Sequence, residues 1–160
     1  MAGQASLGRH REKVNVRKSL AAAVTIVVLL SGSRLLAGEE SLDKLIARAE
    51  AGGDKQSELY VDVAQRYANL ANDHFSNGEW GKARDDIKSV LSYAEKARAV
   101  VGRSEGRIKQ TEIKMHKLQR RLEEVARATD IDDRPTVTAA AEHVEELRSE
   151  LLDLLFRKDK

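Results

Sequence analysis

The sequence predicts an all-α protein, with antiparallel helical hairpins on one long central helix, and three observations support that fold class. Apolar residues recur at intervals of three and four along most of the chain, which is the period of a helix. Aromatic residues make up only 4% of the chain and proline occurs once, a composition that does not suit a sheet protein. Short segments that contain glycine separate the periodic stretches, as expected of turns between helices.

Residues 1–37 have the three zones of a secretory signal peptide. A basic stretch ends at Lys18, an uncharged run covers Ser19–Ser33, and small residues follow. The run is shorter than the ~20 residues that span a bilayer comfortably. We therefore predict cleavage near Ser33 or Ala37 and export to the periplasm or the outside of the cell. The alternative is an uncleaved anchor in the cytoplasmic membrane that leaves the rest of the chain facing outward.

The first predicted helix is short and amphipathic, and a longer core-facing helix follows it. Leu42, Leu45, Ile46 and Ala49 mark a helix over about residues 41–51, which Gly52-Gly53 ends. Asp54 is expected to cap the next helix, residues 55–76, and residues 76–79 form a turn. The apolar or aromatic stripe of this second helix is predicted at Tyr60, Val63, Tyr67, Leu70 and His74, with Ala64, Ala71 and Phe75 beside it.

The longest periodic stretch runs from Trp80 to Val125 without a change of phase. Gly102 and Gly106 lie inside it and leave the register intact, so we predict one partly coiled-coil-like helix over about residues 80–128. That helix is roughly 73 Å long at ~1.5 Å per residue. Its predicted stripe consists of Trp80, Ala83, Ile87, Val90, Ala94, Ala97, Val101, Ser104, Ile108, Thr111, Met115, Leu118, Leu122 and Val125.

A last helix over about residues 135–156 completes the plan. Pro135 suits its first turn, and its stripe consists of Val137, Ala140, Val144, Leu147, Leu151 and Leu154. The chain is thus predicted to hold an N-terminal hairpin, residues 38–101, and a C-terminal antiparallel hairpin, residues 102–160, placed end to end. Within the second hairpin the register predicts two ion pairs, Lys117 with Glu146 and Arg121 with Glu142.

The stretch Tyr67–Glu95 resembles one tetratricopeptide helix-turn-helix unit. Leu70-Ala71 and then Gly78-Glu79-Trp80-Gly81-Lys82-Ala83 follow that family's pattern of small residues around a Gly-acidic-aromatic turn. Val90 stands where the family has Ala, Glu95 stands where it has a closing Pro, and no second copy follows. The resemblance implies a helical hairpin and a role in holding other proteins.

The sequence assigns no catalytic, cofactor-binding or metal-binding residue. His74 is expected to be a core or capping histidine, because no acidic or nucleophilic residue follows it at a useful spacing. Glu112 and His116 are one helical turn apart, but a metal site needs several such pairs, and His143 is not expected to meet His116. Trp80 is interpreted as a packing anchor, and the basic stretch 114–121 as a solvated helix face.

These observations predict a non-catalytic exported protein that works through protein–protein contact, either as an adaptor or as a self-associating rod. Residues 1–37 hold six basic residues and one acidic residue, so the remainder has 22 basic and 25 acidic residues and a net charge of −3. A mildly acidic body has no electrostatic reason to bind nucleic acid. The alternatives are a membrane-anchored adaptor that keeps its hydrophobic segment and a bundle that binds a small molecule or metal. The protein partner is not identified by the sequence.

Overall fold

The computed structural model describes residues 40–157, which form five α-helices and are 83% helical without a strand. The all-α class is confirmed. The helices are α1 (Leu42–Glu50), α2 (Gln56–Ser76), α3 (Trp80–Val100), α4 (Glu105–Ala128) and α5 (Arg134–Phe156). The predicted signal peptide or anchor, residues 1–37, lies outside the described residues. Between residues 40 and 157, no helix has both the length and the apolar character that crossing a membrane requires.

The turn between α1 and α2 forms at the two predicted glycines. Gly52 and Gly53 have φ angles of +81° and +109°, a backbone conformation that side-chain-bearing residues rarely adopt. The prediction that Asp54 caps α2 was wrong. The N-cap is Lys55, without a side-chain hydrogen bond, and Asp54 instead forms an ion pair with Arg107 of α4 at 3.1 Å. Asp54 is therefore held by a charged side chain of another helix and does not cap α2.

Helices α2 and α3 form an antiparallel hairpin around Gly78, which has a φ of +74°. The Glu79 N–H donates to the His74 carbonyl at 2.8 Å and so closes the end of α2. The predicted stripe of α2 was shifted by one position, since Leu70 is 36% exposed. The central stripe of α2 consists of Ser57, Val61, Ala64, Ala68, Ala71 and Phe75, with Tyr60 and Val63 buried beside it.

The prediction of one continuous helix over residues 80–128 was wrong. Helix α3 ends at Val100, Gly102 takes a φ of +67°, and α4 begins only at Glu105. A left-handed residue ends the run of helical hydrogen bonds and lets the chain reverse its direction. Val101 and Ile108 are both buried on either side of the break, which explains why the sequence period passes through it unchanged.

The reversal places the two hairpins side by side instead of end to end. Helix α2 runs parallel to α4, as the contacts Ser57–Thr111 and Asp62–Lys114 show. Helix α3 runs parallel to α5 in the same way, while α3 and α4 lie diagonally across the bundle. Residues 56–156 therefore form a four-helix bundle in which α4 and α5 are antiparallel, and α1 packs on α2.

The core of the bundle follows the predicted positions from Ala83 onward. Of these positions between Ala83 and Val125, only Ser104 is exposed, because it is the N-cap of α4 in the break between the helices. On α5 only Leu154 is not fully buried. Trp80 differs, because it is 38% exposed and its ring lies 6.1 Å from that of Phe75 at the end of the bundle. Periodicity therefore identified the buried faces, but it did not identify which helices meet.

Candidate protein-binding surface

One row of basic side chains on α4 is used inside the bundle. Arg107, Lys114 and Arg121 are seven residues apart, so they share one side of the helix. The Lys114 ammonium lies 2.7 Å from Asp62, and the Arg121 guanidinium donates to the Asn69 side-chain oxygen at 2.9 Å. With the pair of Arg107 and Asp54, these contacts join α4 to α2 and hold the two hairpins together.

The ion pairs predicted between α4 and α5 do not form. Arg121 contacts Asn69 and Glu124, and Glu146 lies 3.2 Å from His143. The prediction was wrong because it placed α5 as the neighbour of this side of α4. In the bundle that side faces α2, which the sequence period alone does not reveal. The basic row was found, but its partner was not.

A second row of basic side chains lies on the outer side of α4 and is unpaired. Lys109, Lys117, Arg120 and Arg127 are exposed, and no hydrogen bond or ion pair joins them to any residue between 40 and 157. Lys117 lines a pocket with Val61, Asp62 and Gln65 of α2, so we call Lys109, Arg120 and Arg127, with Ile113 and His116, the outer basic row. Lys109, Ile113, His116, Arg120 and Arg127 follow the three–four spacing that places residues on one line along a helix.

Acidic side chains follow the neighbouring helix at the same spacing. Glu142, Glu146, Glu150 and Asp153 are separated by four, four and three residues and are exposed along α5. We call them the acidic row. Glu146 contacts His143 and Glu150 contacts Arg98 of α3 at 2.8 Å, whereas Glu142 and Asp153 have no ionic partner among the described side chains. The α4–α5 face, defined by these two rows, thus carries both signs of charge.

A groove of about 480 Å³ lies between α4 and α5 within this face. It is lined by Gln119, Glu123, Thr138, Ala141, Glu142, Glu145 and Glu146. The Gln119 side-chain nitrogen donates to Glu123 at 3.0 Å, and its buried side-chain oxygen has no hydrogen-bond partner among residues 40–157. The groove is therefore lined by acceptors, which suit a positively charged donor group.

The register of α4 against α5 is set by one strong contact. The Arg148 guanidinium donates to Glu112 at 2.6 Å and to Glu145 of its own helix at 2.9 Å. These hydrogen bonds to carboxylates, the one to Glu112 first, raise the pKa of Arg148, so the guanidinium stays charged. Glu112 is thereby occupied, and His116 lies on the exposed side of α4, so the two do not form the metal-ligand pair that their spacing suggested.

Two histidines hold helices together through carboxylates. His74 lies 2.6 Å from Asp86 of α3 and 3.5 Å from Glu79, which corrects the expectation that no acid reaches it. His143 lies 3.0 Å from Glu95 of α3 and not beside α4. Hydrogen bonds to Glu95 and then to Glu146 raise the pKa of His143. Both contacts cross between helices, so sequence spacing could not reveal them.

An aromatic cluster between α2 and α3 was not identified from the sequence. Tyr67 and Tyr93 stack with ring centroids 5.7 Å apart, and Tyr60 lies 6.0 Å from Tyr93. The Lys96 ammonium lies over the Tyr93 ring at 4.6 Å. Burial is the largest cause that raises the pKa of both Tyr67 and Tyr93, so these phenols remain protonated and act as packing groups. The pattern in the sequence that could have indicated this contact is the spacing of three residues between Tyr93 and Lys96, which places both on one side of α3.

Among residues 40–157, no group of three or more histidine, aspartate and glutamate side chains is placed to hold a metal ion. The strongest geometric feature of the described bundle is instead the two-signed α4–α5 face. Comparisons with protein-family models, curated proteins and solved structures found no match to this chain.

Proposed function

We propose that this chain is a non-catalytic exported protein whose helical bundle binds another protein through the α4–α5 face. The observation that carries the proposal is the contrast between the two basic rows of α4. One row is bound by side chains of α2, and the other keeps the three cations Lys109, Arg120 and Arg127 without a partner between residues 40 and 157. Unpaired charges arranged along one helix steer association and select the orientation of a charged partner.

The groups with the chemistry for acid–base work support the same proposal, because they serve as links between helices. His74 and His143 each contact two carboxylates, and Glu112 accepts from Arg148. Hydrogen-bonded pairs of this kind hold the helices that they join in one arrangement. The resemblance of residues 67–95 to a tetratricopeptide unit also favours a binding role.

Export is the second part of the proposal and rests on residues 1–37 alone. Under it, the mature chain begins near Arg34 or Gly38 and works in the periplasm or outside the cell. The alternative is an adaptor that keeps residues 19–33 in the cytoplasmic membrane. Mass spectrometry of the N-terminus of the purified protein separates them, since an intact N-terminus in the membrane fraction establishes the anchored form. Metal analysis of the same sample tests the third class, because a stoichiometric ion would establish a metal-binding bundle.

A photo-crosslinking experiment in intact cells tests the binding role. A photoreactive amino acid replaces Ile113, which is 38% exposed in the middle of the outer basic row. The matched control places the same group at Lys88, whose side chain is 76% exposed on α3, away from the α4–α5 face. We expect a discrete protein adduct from position 113 and none from position 88. The absence of any protein adduct from position 113 would contradict the proposal.

A further inference from the structure

We propose that the partner of the α4–α5 face is a second copy of this chain, an inference that rests on the proposed binding role. The face carries a basic row and an acidic row side by side on two antiparallel helices. A surface with both signs in adjacent rows is complementary to itself once it is turned by half a revolution. The structure therefore points to a symmetric homodimer.

Symmetry selects the arrangement of the two copies. A twofold axis that lies between the faces and parallel to the helices places α4 of one copy opposite α5 of the other. A twofold axis that lies between the faces and perpendicular to the helices places α4 opposite α4, and the two basic rows would then repel each other. Only the parallel axis joins opposite charges, so we assign it to the dimer.

The register within one chain fixes which residues meet across this interface. Rotation about an axis parallel to the helices leaves every residue at its own height along the bundle. The contact between Glu112 and Arg148 sets the heights of α4 against α5. Counting along the two antiparallel helices from this contact places Arg120 at the height of Glu142 and His116 at the height of Glu146, to within about two residues.

The same register continues to the end of the rows. Lys109 lies level with Asp153, and Ile113 lies level with Ser149. Lys109 and Arg120 of one copy thus each find an acid of the second copy at their own height, whereas Arg127 is level with Pro135. Lys109, Arg120, Glu142 and Asp153 all lack an ionic partner among the described residues, so the dimer would provide partners that the single chain does not.

The centre of the proposed dimer interface lies at the groove between α4 and α5. Glu142 lines the groove, so Arg120 of the second copy arrives at the height of its acceptors. A guanidinium group is a planar donor that binds carboxylates in pairs of hydrogen bonds, and Glu142 is an exposed carboxylate without an ionic partner among the described residues. Arg120 is therefore the residue on which we expect the dimer to depend most.

The contact is expected to be weak and sensitive to salt. Apart from Ile113 the α4–α5 face exposes few large apolar side chains, and exposed charge pairs are screened over about 8–10 Å at physiological salt. Polar interfaces of small buried area form and dissociate readily. The dimer would then respond to local concentration, as at a membrane or on a larger assembly.

Charge reversal tests the dimer with the full-length chain, purified in detergent micelles and carrying two different tags. We expect each of two variants, Arg120→Glu and Glu142→Arg, to capture its own second-tagged copy about tenfold or more weakly than the original chain does. Mixing the two variants restores capture, because each reversed residue then meets the opposite charge. The double variant restores it as well. Neither residue has a partner inside the described bundle, so the helical content is expected to remain unchanged.

The matched controls are Lys88→Glu and Asp85→Lys, which reverse the charges of an exposed pair on α3. We expect neither to alter capture. Unchanged capture by Arg120→Glu, or failure of the mixed variants to recover, would overturn the dimer. Binding to anionic vesicles provides a second test. If the vesicles bind the original chain, bind Arg120→Glu less and bind Glu142→Arg more, the outer basic row meets a negatively charged membrane, and the dimer is overturned.

The crosslink from position 113 separates failure of the dimer from failure of the binding role. An adduct with twice the mass of the chain supports both. An adduct with a different protein overturns the dimer and leaves the binding role standing. The absence of a protein adduct overturns both.

Discussion

The two hairpins of the bundle have nearly the same length but fill their interiors with different side chains. The α2–α3 hairpin is lined by fully buried alanines: Ala64, Ala68, Ala71, Ala83, Ala94 and Ala97. The α4–α5 hairpin instead buries larger side chains: Met115, Leu118, Leu122, Leu147 and Leu151. Alanine lets two helix backbones approach closely but removes little apolar area from water, whereas leucine contributes much more area at a larger separation.

The difference shows how each hairpin is stabilised. The first supplements its alanines with the tyrosine cluster, with Lys96 over Tyr93, and with α1 as a cover. The second relies on its leucines and on the Arg148–Glu112 contact. We therefore expect the second hairpin to be sensitive to truncated side chains and the first to be sensitive to enlarged ones.

The largest effect is expected from truncation in the second hairpin. Leu118→Ala removes a side chain that is completely buried and leaves a cavity, so the free energy of unfolding should fall by about 2–5 kcal/mol. The matched control in the first hairpin is Leu70→Ala, because Leu70 is 36% exposed and should cost much less. Urea unfolding followed by circular dichroism measures both. Equal losses would contradict the contrast between the hairpins.

The second largest effect is expected from a larger side chain in the core of the first hairpin. Ala94→Leu inserts three carbon atoms where α3 is completely buried, and the strain should lower the free energy of unfolding by about 1–3 kcal/mol. Ala99→Leu makes the same change at an exposed position of α3 and should have little effect. The comparison uses thermal and urea unfolding of the two variants. A stabilising effect of Ala94→Leu would show that the alanines leave space unfilled.

The junction of the hairpins should respond differently at its two glycines. Gly102→Ala forces a side chain into a left-handed backbone conformation and should destabilise the bundle by about 1 kcal/mol. Gly106→Ala lies in the first turn of α4 with open space around it and should stabilise by up to about 1 kcal/mol. Stabilisation by both variants would favour the continuous helix that the sequence period predicted.

The smallest effect concerns the histidine that links the hairpins. Since Glu95 and Glu146 raise the pKa of His143, the bundle binds this proton more tightly than the unfolded chain does. The stabilisation is complete below the unfolded-state pKa of about 6.5 and is lost as the pH rises through the higher folded-state pKa. His143→Gln should therefore cost less than about 1 kcal/mol at about pH 5.5, and less still at about pH 9. Equal losses at the two pH values would contradict this role of His143.

Much of the buried surface could be predicted because helical burial is periodic in the sequence. Ile87, Val90, Leu118 and Leu122 all lie where a three–four spacing places them. On α2 the prediction was shifted by one position, because that helix contacts α1, α3 and α4 and its buried face is correspondingly wide. Leu70 was assigned to the core because it is apolar and fits the three–four spacing, although it is exposed.

The candidate surface could be predicted only in part. The basic character of α4 was visible in the sequence, but seven of its side chains are lysine or arginine, and spacing alone does not tell which row finds a partner. The structure shows that Arg107, Lys114 and Arg121 contact α2, that Lys117 lies beside them, and that Lys109, Arg120 and Arg127 point outward. Which basic side chains face α2 depends on the chain reversal at Gly102, where the backbone adopts a positive φ angle.

By itself, the sequence determined the helical class, the turns at Gly52-Gly53 and Gly78, and most of the buried positions. These follow from local backbone preferences and from the period of apolar residues, which act over a few residues at a time. Only the tertiary structure decided that Gly102 is a turn, that α2 lies beside α4, and that His143 meets Glu95. Such contacts join residues about fifty positions apart, and their energy depends on which helices pack together, a property that no local pattern contains.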